Sequence, residues 1–317
     1  MEQGKTSTQS AGVDVGKRWL DASVYGKAEV RRFSNDVLGI AALLVWLCEA
    51  GVKRVGFEAS GGYERGLRAA LETAGLETVM HQPLEVRLFA RMKRLRTKTD
   101  RIDALLIAAA TAQVDAVKAA ADPRLRDLAE RLTAYEQVTD QLAQMKTCLE
   151  HVHLKDLVTQ LKAQMRSLKA LKDRLARQVI AAIKAEPDFA ERYRLLISLP
   201  GVGPIVAASL VVRMPELGCM NRGQAAALLG VAPFARESGQ WKGQRFIGGG
   251  RQRPRRMLYL AALSARRCDP TLRAVAERLA AAGKPPKVIL VALMRRLIEA
   301  ANLVLSRGHP WLKTAAA

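Results

Sequence analysis

From Arg124 to Glu186 the chain contains neither glycine nor proline, and Pro123 and Pro187 stand at the two ends. Those two residue types are the ones a helix interior tolerates least, so their absence over this stretch leaves continuous helix as the natural state. Apolar residues fall at Leu125, Leu128, Leu132 and Tyr135, then at Val138, Leu142, Met145, Leu149 and Val152. The steps are three and four, with one extra step of three at Val138. The pattern continues through Leu154, Leu157, Leu161, Met165, Leu168, Leu171 and Leu175. A heptad-like seam with a stammer predicts a coiled coil over 121–190, either one long helix or a hairpin turning near His151–Asp156. Its expected use is packing and self-association. His151 and His153, two residues apart, fall on different helix faces and read as solvated surface rather than as metal ligands.

The segments on either side differ from it and from each other. Over 1–120, AGVDVG, WLDASVYG and AEVRRFS read as strands, as do VKRVGFEAS and LETVMHQ. Leu38 to Glu49, Tyr63 to Ala74 and Asp103 to Gln113 read as helices. Opening strands followed by alternating helices predict a mixed sheet with helices packed on it. Over 191–317 the pattern is helical. There Pro200, Gly201, Val202, Gly203 and Pro204 separate two apolar helical stretches, a pattern like a helix-hairpin-helix. In such a motif Gly201 and Gly203 would let backbone N–H groups approach a phosphate; the alternative is a plain helix–helix turn. The fold class expected is therefore α/β followed by α, in three parts.

Charge narrows the partners. The 317 residues carry a formal net charge of +21, which calls for a polyanion, with nucleic acid first and an anionic membrane surface a distant second. No apolar run reaches the roughly 18 residues needed to span a bilayer, and MEQGKTSTQS lacks the apolar core of a signal peptide. Cys48, Cys148, Cys219 and Cys268 are scattered without a CxxC pair. A zinc site or disulfide framework is not expected, and a reducing cytoplasm fits.

Two sets of residues invite chemistry. The first is FARESGQWKGQRFIGGGRQRPRR, Phe234 to Arg256, where Ser238 lies among Arg236, Lys242, Arg245, Arg251, Arg253, Arg255 and Arg256 with no histidine nearby. The cations fit a phosphate backbone. The second is a set of carboxylates. Asp14 is at the centre of the GVDVGK strand, and its neighbours Val13 and Val15 point to the other face. Glu58 closes VGFEAS. Asp100 and Asp103 in KTDRIDA share one side of a helix start. Gathered together they would repel, which invites a divalent cation; Mg²⁺ or Mn²⁺ prefers such oxygen ligands. Each acid alone could instead be a helix N-terminal residue or half of an ion pair. The run before them, Arg87 to Arg101, includes Lys93, Arg94, Arg96 and Lys98 and could lead a polyphosphate strand toward the acids.

GVDVGK, GFEASGGYE and KTDRIDA in that order, then LPGVGP and LLGVAPFARESGQWKG, resemble the DEDD transposases of bacterial insertion sequences of the IS-one-ten type. These are described as bridge-RNA-guided recombinases related to pilin-gene invertases. The resemblance implies an RNase H-like domain of the Holliday-junction-resolvase (RuvC) kind, with Asp14, Glu58, Asp100 and Asp103 holding Mg²⁺. It implies Ser238 as a nucleophile that forms a covalent phosphoserine, with acids and serine supplied by different subunits of a dimer or tetramer. It also implies donor and target DNA and a noncoding guide RNA as partners, and a bacterial cytoplasmic, nucleoid-associated location. The residues themselves leave two other readings: a metal-dependent junction nuclease in which Ser238 is only a loop residue, and a non-catalytic nucleic-acid-binding protein.

Overall fold

The computed structural model describes residues 8–93, 100–115, 122–234, 237–238, 241–242 and 245–312. For residues 100–102, 237–238 and 241–242 it describes the backbone alone. The chain separates into two compact units, 1–121 and 122–317. Among the described residues no helix is long and apolar enough to cross a membrane.

The first unit is a five-stranded mixed sheet. Strands β1 (Ser10–Val15), β2 (Trp19–Val24) and β3 (Val30–Ser34) form an antiparallel meander. Strands β4 (Arg54–Glu58) and β5 (Glu77–His81) add in parallel on the other side of β1, giving the order β3-β2-β1-β4-β5. The helices are α1 (Val37–Glu49), α2 (Arg65–Thr73), α3 (Pro83–Met92) and α4 (Asp100–Ala112). The strands and helices expected from the sequence are present. The addition is α3, which begins at Pro83 with a capping box between Gln82 and Glu85 and runs into the basic stretch.

Alternation along the strands gives the sheet two unlike faces. Val13, Val15, Leu20, Ala22, Val24, Val55 and Phe57 pack with Leu43 and Leu47 of α1 and Leu67 and Leu71 of α2 in one apolar core. The residues between them, Gly12, Asp14, Asp21, Gly56 and Glu58, turn to the other face, which α4 covers.

In the second unit the glycine-free stretch is two helices, α5 (Arg124–Glu150) and α6 (Lys155–Ala185), packed on each other. Of the two arrangements the sequence allowed, the structure takes the hairpin, and the break falls at His151–Leu154. The ends of both helices farthest from that break, through Leu128, Leu132, Tyr135, Val179 and Ile183, join the core of the unit. The rest of that core comes from α7 (Pro187–Ile197), α8 (Pro204–Arg213), α9 (Arg222–Leu229), α10 (Gln252–Cys268), α11 (Pro270–Ala281) and α12 (Pro286–Arg307). Between α9 and α10 lie four two-residue strands: β6 (Pro233–Phe234), β7 (Glu237–Ser238), β8 (Trp241–Lys242) and β9 (Phe246–Ile247).

Candidate active site

The carboxylate face is set by how closely α4 approaches the sheet. A β-carbon at Gly12 would lie 2.1 Å from the Ala108 nitrogen and 2.6 Å from the Ala104 carbonyl oxygen. One at Gly56 would lie 1.8 Å from the Thr111 hydroxyl oxygen. Gly12 and Gly56 are paired across β1 and β4, so two adjacent glycines seat the helix, its backbone against Gly12 and its Thr111 side chain against Gly56. Arg54, at the start of β4, donates to the carbonyl of Val114, just beyond the end of α4. Thus α4 runs against the direction of β4, and its first turn reaches the carboxyl ends of the strands. Asp14 and Glu58, each two residues beyond one of these glycines, are on the same face at that end. Asp103 directly precedes Ala104, whose carbonyl oxygen lies over Gly12. All three are half-buried. Asp100 is the first residue of α4, and its side chain lies outside the described residues.

Strand register places further residues beside the acids. Asp14 is opposite Asp21, and Asp21 is opposite Arg32. The β1–β4 register, recorded as far as Val13 with Phe57, brings Glu58 alongside Asp14 at the next step. Glu58 is opposite His81. Arg32, Asp21, Asp14, Glu58 and His81 therefore form one row across all five strands, on the face α4 covers. Asp21 accepts two hydrogen bonds from Arg32, both 2.8 Å. The buried His81 ring is 2.9 Å from the Thr111 hydroxyl. Burial lowers the His81 pKa from its ordinary 6.5, against a smaller pull upward from Glu85. Asp21, Arg32 and His81 were not singled out from the sequence. The available signal was the alternation in WLDASV, which sets Asp21 between buried Leu20 and Ala22.

The turns at this end are tied together. The Asn35 amide nitrogen donates to the carbonyls of Gly16, 2.8 Å, and Tyr63, 3.1 Å. It thereby joins the loop after Asp14 to the loop after Glu58. The Glu64 carboxylate accepts from the Ser60 N–H, the Ser60 hydroxyl and the Gly62 N–H. Burial opposes its charge, but hydrogen bonds from its own backbone, Ser60 and Gly62 outweigh that and hold its pKa below the usual 4.5.

Among the described residues no three or more His, Cys, Asp or Glu side chains are grouped so as to hold a metal ion. The acids expected from the sequence offer carboxylate oxygens, the kind a hard divalent cation takes, and that set includes Asp100, outside the described side chains.

The serine segment, read from sequence as a loop, has a β framework. Pro233 and Phe234 pair with Ile247 and Phe246, and inside that pair Glu237 and Ser238 pair with Lys242 and Trp241. The base is fixed by arginines. Arg255 donates to the carbonyls of Gly230 and Gly249. Arg251 makes a two-point pair with Glu216 at 2.7 and 2.6 Å and also donates to the Arg213 carbonyl. Arg253 and Arg213 both reach Glu136 of α5, at 2.9 and 3.0 Å, and the Glu136 side chain is only 3% exposed. Arg251 and Arg253, expected to contact nucleic acid, thus have internal acid partners. Arg245 is exposed. The side chains of Ser238 and Lys242, and all of Arg236, lie outside the described residues, as do Arg94, Arg96 and Lys98. Lys93, exposed at the end of α3, sits 5.6 Å from the Phe89 ring centre.

Gly201 has a structural reason for being glycine. Its φ is +74°, and a β-carbon there would be 2.3 Å from the Ala261 carbonyl oxygen of α10. Gly203 precedes α8 with open space beside it.

A mixed sheet carrying Asp14 and Glu58 at its carboxyl end, and a basic serine segment on a helical unit, fit the class of proteins that act on nucleic acid. Comparison with known proteins gives the family. The DEDD transposases of IS110 type match residues 11–159, and the transposase family IS116/IS110/IS902 matches residues 193–277. The chain belongs to this family of transposases. Over 327 aligned residues it is 25% identical to the pilin gene-inverting protein of Moraxella bovis, covering 95% of this chain and 97% of that protein. The pilin gene-inverting protein of Moraxella lacunata is similar to the same extent.

Proposed function

We propose that this transposase exchanges DNA strands through a covalent phosphoserine at Ser238. The observation that carries the reading is the convergence of Asp14, Glu58 and the start of α4 at one end of the sheet. In the step proposed, the Ser238 hydroxyl oxygen bonds to a DNA phosphorus. The bond from that phosphorus to one deoxyribose oxygen breaks. The serine loses its proton, and the departing sugar oxygen gains one and becomes a free hydroxyl. Attack by the hydroxyl of a second strand reverses the step and restores the serine. One phosphoester bond is made for each one broken, so no high-energy cofactor is needed.

Serine is a weak nucleophile without activation. Arg236, Lys242 and Arg245 would neutralise the phosphate, while Arg251, Arg253 and Arg255 hold the base of the ribbon. Asp14, Glu58, Asp100 and Asp103 would hold Mg²⁺ or Mn²⁺, which stabilises charge on attacking and leaving oxygens. Lys93, Arg94, Arg96 and Lys98 would guide the strand toward the acids, and Gly203 would offer backbone N–H groups to a phosphate. Acids and serine would come from different subunits of a dimer or tetramer associating through α5 and α6. In its first half α6 leaves Leu161, Met165 and Leu168 only half-buried. A noncoding RNA pairing with donor and target DNA would supply the sequence choice, which fits a basic chain.

The test is an adduct assay on the full-length protein with element-end DNA, guide RNA and Mg²⁺. Wild type should yield a protein–DNA adduct that survives denaturation. Ser238→Ala and Asp14→Asn should each abolish it while still binding DNA, and chelation should do the same. Free strand ends without an adduct would replace the serine mechanism by a junction nuclease.

A further inference from the structure

We propose that Arg32 is a phosphate-binding residue of the carboxylate face, held in place by Asp21, and that its ligand is the backbone of a nucleic-acid strand laid across that face. The proposal rests on the reading of Asp14 and Glu58 as part of the strand-exchange centre.

Asp21, Asp14 and Glu58 stand side by side in the row across the sheet. Three carboxylates at one level repel an approaching polyanion. A strand that is to reach them needs a cation at the same level, and Arg32 occupies that position at the β3 end of the row. Its pairing divides exposure unevenly. The Asp21 side chain is 11% exposed and the Arg32 side chain 54%. The acid is embedded in the sheet surface and grips the guanidinium by Nε and Nη2, a planar two-point geometry that fixes its orientation. The cation is thus presented to solvent from a rigid base. Trp19, two residues before Asp21 and on the same face, has its ring centre 5.9 Å from the guanidinium carbon. It is itself half exposed, and this contact further restricts the guanidinium.

Location agrees with this role. Strand β3 is the edge of the sheet, so a strand of nucleic acid can pass over it without meeting a further β-strand. Lys17 and Arg18 are exposed in the turn that follows Asp14. A preorganised guanidinium is the group suited to phosphate oxygens.

The experiment measures binding of a fluorescein-labelled DNA duplex to the full-length protein across a salt series. Wild type, Arg32→Ala, Arg32→Lys, Asp21→Asn and the Asp21→Asn/Arg32→Ala double variant are compared. Removing one phosphate contact should reduce the slope of log K against log salt by about 0.9 and weaken binding about tenfold near 0.1 M salt. Arg32→Lys should recover the slope. Asp21→Asn should weaken binding less than Arg32→Ala, and the double variant should be no weaker than Arg32→Ala alone. An unchanged slope in Arg32→Ala, with only a lowered melting temperature, would overturn the proposal. So would an Asp21→Asn variant that raises the Mg²⁺ requirement for adduct formation while Arg32→Ala does not, since Asp21 would then serve a metal. The binding slope needs no strand cleavage. Failure of the strand-exchange reading would show in the adduct assay on wild type and Asp14→Asn, separately from this result.

Discussion

Helices cover both faces of the five-stranded sheet, but they are held there by opposite means. Under α1 and α2 the strands present Val13, Val15, Leu20, Val55 and Phe57, and large side chains fill the space between the layers. Under α4 the strands present Gly12 and Gly56; the helix backbone comes down onto the sheet at Gly12, and the Thr111 side chain fills the space over Gly56. The first face is stabilised by apolar burial and carries no carboxylate in its core. The second leaves its far end to Asp14, Glu58, Asp21 and Arg32. A helix seated on glycine holds its position through backbone contact. The N-terminal turn of α4 can therefore be brought to the strand ends without an intervening layer of side chains.

Substitutions on the two faces should fail differently. The largest loss of stability is expected on the apolar side. Phe57→Ala removes a fully buried ring and should cost about 3–5 kcal/mol in urea denaturation. On the glycine side, Gly12→Ala forces a methyl against the α4 backbone and should cost about 1–3 kcal/mol by overpacking. Adduct formation should fall further in Gly12→Ala than in a variant of the apolar face matched for stability loss, because α4 and Asp103 are displaced. Equal activity in the two would break the contrast drawn between the faces.

The smallest effect expected is a pH dependence from the α4 side. Burial holds the His81 pKa below its ordinary 6.5, so the folded state favours the neutral ring. Its contribution to stability is full above about 6.5 and is lost as pH falls through that value toward the lower folded one. The urea midpoint should decline on acidification through that window, and His81→Gln should flatten the decline. A profile that His81→Gln leaves unchanged would assign the decline to other groups.

Much of this arrangement was readable in the sequence. Val13 and Val15 flank Asp14, and strand alternation alone puts the acid on the face away from them. Glu58 closes an apolar strand in the same way. The helix hairpin was one of two options because periodicity reports which residues share a face but not where a helix turns back; the four-residue break at His151–Leu154 decides that. The internal partners of Arg251 and Arg253 could not be read from a local count of cations, because Glu216 arrives from the turn between α8 and α9 and Glu136 from α5. The small β framework around Ser238 was missed because two-residue strands carry no periodicity.

By itself the sequence determined most of the strands and helices and the long helical stretch, and it carries the charge and the family motifs from which a polyanionic partner and the four acids are proposed. These are local or compositional properties, and alternation or spacing is enough to express them. Only the tertiary structure decided that Gly12 and Gly56 are the seat of α4 and that Arg32, Asp21, Asp14, Glu58 and His81 line up in one row. That row depends on the register of four separate strand pairings, and a one-residue slip in any of them would turn a member to the opposite face.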